Sequence, residues 1–275
     1  MTRTTTFLAA AVTGLLLLGA CSDQPTSPAL SAGDQLLDAD VAQVAADGAA
    51  QDVDIMRDVG FGTRFGLGFG PILGPPRTDG CTYANGRWTC PDISRGGLTF
   101  SRSFAFYDAA GQPMEQYDAN QTASINVQTS VAGEVSHDNW SATIDRQRNM
   151  TVSGLQGDEQ KRTWNGTGTS EESGSRHNDQ GETRTYNMSA EVTVDNVEIP
   201  HGHNPSQDPW PLSGTITRHV SIQVLDANGN VVRQAERTVT ITFDGTQFAK
   251  ATVTGPNGTE TFTIDLAMRR AHRGP

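Results

Sequence analysis

The chain predicts an all-β protein, an antiparallel meander of about nine to eleven strands forming a barrel or sandwich, after a disordered N-terminal tether. Three observations carry that expectation. The composition holds 32 Thr, 29 Gly and 13 Pro but only 2 Lys, favouring strands and turns over helices. From about residue 79 to 268, apolar residues recur with a period of two, as strands with one dry and one wet face require. Turn-forming clusters interrupt the alternation at hairpin spacing, and strands joined by short turns are antiparallel neighbours. The 275 residues suffice for one or two domains with a real core. The 31 Asp+Glu outnumber the 20 Lys+Arg, giving a net charge of −11. Such a surface disfavours phosphate backbones, so no nucleic-acid partner is expected.

Residues 1–20 have the order of a secretory signal: Arg3, an apolar run from Phe7 to Leu18, then small residues. The run is too short to span a bilayer permanently. The closing Leu18-Gly19-Ala20-Cys21 resembles the lipobox of bacterial lipoproteins. In that family the Cys becomes the new N-terminus and carries the lipid, so the resemblance implies lipidation at Cys21 and a membrane partner reached through the lipid. Several acyl chains on one residue anchor a soluble domain stably. Cys21 is followed by Ser22 rather than Asp, which by resemblance to the bacterial sorting rule implies the outer membrane. The bland alternative is an ordinary cleaved signal with a chance Cys.

Residues 21–78 read as a lipidated acidic and Gly/Phe-rich tether. Between 22 and 58 there are eight Asp and one Arg, with little apolar surface to pack. Leu37, Val41 and Val44 fall at helical spacing, so a short helix around 34–46 is the alternative. The run Gly60 to Pro71 contains Gly66-x-Gly68-x-Gly70 but lacks the preceding strand and following helix of a phosphate cradle.

The β-domain, 79–268, opens with Cys81 to Cys90 around Asn85-Gly86, the strongest two-residue hairpin signal. Folding there pairs 84 with 87, 83 with 88 and 81 with 90. In an oxidising compartment Cys81 and Cys90 therefore form a disulfide, worth roughly 2.7 kcal/mol on the chain-entropy model. Strands follow at Ala123-Ile125-Val127, Trp140-Ala142-Ile144, Val220-Ile222-Val224, Val239-Ile241-Phe243 and Phe262-Ile264-Leu266. Between Met188 and Ile199 the apolar phase slips at Asn196, which predicts a β-bulge. Turns are expected at Asp108–Gly111, Asp226–Asn230, Asp244-Gly245 and Gly255–Gly258. The echo between 106–112 and 224–230 hints at an internal duplication. Residues 269–275 read as a polar tail.

Few constellations could carry chemistry. His201, His203 and Asp208 suit a divalent metal such as zinc or copper, with His177 or His219 as a third imidazole. The competing reading is a Pro-rich surface loop with solvated imidazoles. Trp210 in that loop is the candidate for stacking on a ligand. Asp226-x-Asn228-x-Asn230 lacks the Gly and Glu of a calcium loop and reads as a turn. No Gly-x-Ser-x-Gly, Ser-x-x-Lys or His-Glu-x-x-His occurs, so no catalytic residue is named and no cofactor is expected. The leading expectation is a lipid-anchored bacterial cell-envelope protein with a non-catalytic β-domain that binds a partner or ligand or serves structurally. The alternatives are an envelope hydrolase acting on polysaccharide or peptide through unidentified carboxylates, and a transport module with an apolar, lipid-holding interior.

Overall fold

The computed structural model describes residues 30–57, 78, 80–137, 140–156, 159–177, 183–200 and 210–273. The strands are β1 (Thr82–Ala84), β2 (Arg87–Arg95), β3 (Leu98–Tyr107), β4 (Pro113–Met114), β5 (Ser124–His137), β6 (Trp140–Ser153), β7 (Lys161–His177), β8 (Thr183–Pro200), β9 (Ser213–Leu225), β10 (Val231–Thr242), β11 (Phe248–Gly255), β12 (Gly258–Asp265) and β13 (Arg270–Arg273). They form one antiparallel sheet in which each strand neighbours the next, except that β4 folds back on β3 and β3 pairs directly with β5. The sheet is not closed; β1 and β13 are its ends. Its thirteen strands exceed the expected nine to eleven. Strands β1, β4 and β13 are only two to four residues long, too short to show an alternation. Residues 270–273, expected in the polar tail, instead pair with β12.

Alternation sets which face is dry. Ile125, Val127, Ala142, Ile144, Val220, Ile222, Val239, Ile241, Phe262 and Ile264 are all buried, as their phase requires. The slip at Asn196 is a bulge: pairing skips from Asp195 to Glu198 against β9, and Asn196 takes a φ of 48°. The hairpin at Asn85-Gly86 has the register read from sequence, with Ala84 opposite Arg87 and Tyr83 opposite Trp88. Both turn residues have positive φ, 52° and 78°, as a type I′ turn demands. Cys81 and Cys90 are disulfide-bonded.

The main departure from expectation lies in the segment read as a tether, which over Ala32–Arg57 is a 26-residue helix, α1. It opens on a serine N-cap: the Asp34 amide donates to Ser31 Oγ at 3.1 Å, and that hydroxyl donates to Asp34 Oδ2 at 2.7 Å. Leu37, Val41, Ala45, Ala46, Ala49, Val53 and Met56 are buried in the same core as the dry face of the sheet. The sheet curls around the helix, because its aspartates reach arginines on β6, β8, β9, β10 and the β12–β13 turn. Gly48 lets helix and β9 approach closely: a Cβ there would lie 2.6 Å from the Arg218 guanidinium, which would have to shift.

Candidate functional site

Six aspartates of α1 each meet arginine from elsewhere in the chain. Asp38 pairs with Arg237 Nε at 2.5 Å, and Arg237 also reaches Asp34 at 3.2 Å. Arg233 and Asn257 complete the Asp34 shell. Asp40 pairs with Arg184 at 2.6 Å. Asp47 sits between Arg146 at 2.9 Å and Arg269 at 3.3 Å, and Arg269 bonds Asp54 at 2.6 Å. Asp52 lies between Arg148 at 2.6 Å and Arg218 at 2.7 Å, all three almost fully enclosed. Glu172 accepts from Arg146 at 3.1 Å and from the Tyr186 hydroxyl at 2.7 Å.

Burial and charge compete at each position. Burial alone would raise Asp47, but Arg146 and Arg269 outweigh it and hold the carboxyl below its ordinary value. At Asp40 burial wins over Arg184 and Arg176, and the pKa is raised. Burial pulls Arg218 down to about 10 despite Asp52, with repulsion from Arg148 and Arg146 adding to the fall. Burial also raises the Tyr186 phenol, and the Glu172 carboxylate adds to that rise. An arrangement of this kind is a lock. Each of its six α1 carboxylates is committed to a guanidinium partner. A cavity of about 10 Å³ lined in part by Arg146, Glu172 and Arg218 has room for about one water at most.

The outward face is polar. Thr167, Thr193, Thr217, Thr240, Thr252 and Thr261 stand in register as one transverse row across β7 to β12. A concavity of about 700 Å³ beside this row is lined by Glu171, Glu191, His219 and Glu236 among others. Glu191 is the direct cross-strand neighbour of His219, whose Nδ1 lies 3.2 Å from Thr238 Oγ1. A second concavity of about 640 Å³ is lined by Arg87, Gln128, Asn149 and other polar groups.

Cys21, His201, His203 and Asp208 lie outside the described residues. Of the proposed third imidazoles, His177 Nδ1 is 2.7 Å from Thr183 Oγ1, and His219 stands on the outer face. No group of three or more His, Cys, Asp or Glu side chains able to hold a metal occurs among the described residues. Trp210 is half-buried, with the Arg57 guanidinium 4.3 Å from its ring centre, so its face is used by the end of α1. Asp226 accepts from the amides of Asn228 and Asn230, the geometry of a turn. The missed interior residues had a signal. Arg146, Arg148, Arg218 and Arg237 occupy the dry phase of apolar alternations, where an unpaired charge cannot stay. Compared with known protein families, curated proteins and solved structures, the chain shows no significant match.

Proposed function

We propose that the protein is a lipid-anchored component of the bacterial cell envelope, outer-membrane by its Ser22, whose β-body is a non-catalytic binding or structural module. The observation that carries this reading is the Leu18-Gly19-Ala20-Cys21 tetrapeptide ten residues ahead of a helix locked into the sheet. Such a helix couples the lipid to the body through charge pairs on four strands and the β12–β13 turn. The polar outer face supports a water-exposed body, since a membrane barrel needs an apolar outward band. No helix among the described residues is long and apolar enough to cross a membrane. Among the described residues α1 packs against the dry face of the sheet, which supports a side-chain-filled interior rather than the lipid-holding chamber of a transport module. Replacing Cys21 by Ala is expected to move the protein from the membrane to the soluble fraction. Continued membrane retention of Cys21→Ala in detergent-free fractionation would sink the anchor.

The Glu191–His219 neighbourhood favours one second reading, a hydrolase acting on envelope polysaccharide or peptide in the outer groove. Turnover of such a substrate, lost in Glu191→Gln with the fold intact, would establish it over the first.

A further inference from the structure

We infer that the mouth of the sheet from which α1 starts is the surface that touches the lipid bilayer, with Leu36, Val231 and Val232 as its contact residues. The inference rests on the anchor reading above and adds an orientation to it. Ten residues, 22–31, separate Cys21 from the first residue of α1. Fully extended they reach no more than ~35 Å. The start of α1 is fixed to the sheet: Asp34 holds Arg233 at the start of β10 and Asn257 in the β11–β12 turn, and Arg273 donates to the Gln35 carbonyl at 2.8 Å. This mouth is therefore kept near the membrane, and the rest of the body is carried with it.

Large apolar side chains are exposed at both mouths. At the start of α1 these are Leu36, Val231 and Val232, respectively 43%, 51% and 63% exposed. Val231 and Val232 directly precede the Arg233 that grips the first turn of the helix. At the other mouth Leu212, Phe248 and Met268 are exposed. There Trp210 covers Arg57, and Arg269 holds Asp54 near the end of the helix. A 26-residue helix places the two mouths ~39 Å apart. The point where the lipidated lead leaves the body selects the first mouth as membrane-facing. Among the described residues at this mouth, Asp34 is neutralised by Arg233 and Arg237, and Glu260 pairs with Arg273 at 2.8 Å. Asp226 in the neighbouring turn directs its carboxylate at the backbone amides of Asn228 and Asn230. Apolar side chains on such a rim bury into the boundary between headgroups and acyl chains.

The test uses the lipidated full chain in phosphatidylethanolamine–phosphatidylglycerol vesicles doped with nitroxide-labelled lipid. With Cys21 acylated and Cys81 bonded to Cys90, Val232→Cys or Met268→Cys supplies a single free thiol for an environment-sensitive fluorophore. Nitroxide lipid is expected to quench the label at 232 severalfold more than at 268, with a blue-shifted emission only at 232. Equal quenching at the two sites, or stronger quenching at 268, overturns the orientation while leaving the anchor intact. A blue shift at 232 that grows with protein concentration and resists lipid quenching assigns the patch to a second copy of the chain, and also overturns it. Mass spectrometry of the same samples reads the acyl mass on Cys21; its absence removes the anchor, and the orientation falls with it.

Discussion

Asp52 shows how one residue holds the interior together. It stands between Arg148 and Arg218, and without its charge two guanidiniums would face each other in the core with nothing between them. Asp52→Asn is expected to cost about 3–5 kcal/mol, the usual penalty for leaving buried charge unpaired. A urea midpoint within error of the parent would contradict the account. Asp47 gives the pH dependence. Its native pKa is depressed, so the stability it adds is present above the unfolded carboxylate value near 4 and is lost as pH falls through the native value. Asp40, with a raised pKa, acts in the opposite sense and softens the loss. Melting temperature is expected to drop below about pH 4, and less steeply in Asp47→Asn; parallel profiles for the two proteins would refute the assignment. None of these partners was legible locally, because Asp52 and its arginines are 96 and 166 positions apart. What the sequence did show was half of each pair: acids without apolar company in 22–58, and arginines in the dry phase of β6, β9 and β10.

At the scale of elements, period and turn chemistry were legible, and edges were not. The hairpin at Asn85-Gly86 and its disulfide follow from a two-residue turn rule, and the bulge at Asn196 from a phase slip within one strand, so neither needs a distant partner. The echo between 106–112 and 224–230 has a local cause. In both, the aspartate carboxylate accepts from amides two and four positions on, and its own amide donates to the carbonyl four positions on. The two segments are alike because the turn demands it. Strand β13 was missed because its Arg-Ala-His-Arg has no apolar alternation to detect. Its outer edge is satisfied from α1: Gln43 Nε2 donates to the Arg269 carbonyl at 2.7 Å, and the Ala271 amide donates to Gln43 Oε1 at 3.0 Å. A glutamine side chain thus blunts an edge that would otherwise template another strand. Gln43→Ala is expected to accelerate amide exchange at Ala271 while β10 and β11 stay protected; unchanged exchange at Ala271 would show the edge is held by other contacts.

In the whole molecule, helix and sheet are two halves of one core, and neither buries its apolar face alone. Their joining depends on contacts rather than on the 58–81 segment that connects them in sequence. A protease site inserted at 66–67 and cleaved in the folded protein is therefore expected to leave both pieces co-eluting in native gel filtration and separating only in denaturant. Spontaneous separation in native buffer would show that covalent continuity, not the ionic lock, retains the helix. The same architecture orders events in time. Synthesis delivers α1 first, yet Gln35, Gln43, Asp47 and Asp54 find their last partners at Arg273, Arg269 and Ala271, more than 200 positions later. Closing so long a loop in one step costs on the order of 5 kcal/mol of chain entropy. The helix precedes every described strand yet completes its contacts only with the last of them, so a chain truncated by its final seven residues would lack Arg269, Ala271 and Arg273 and arrive with its keystone loose.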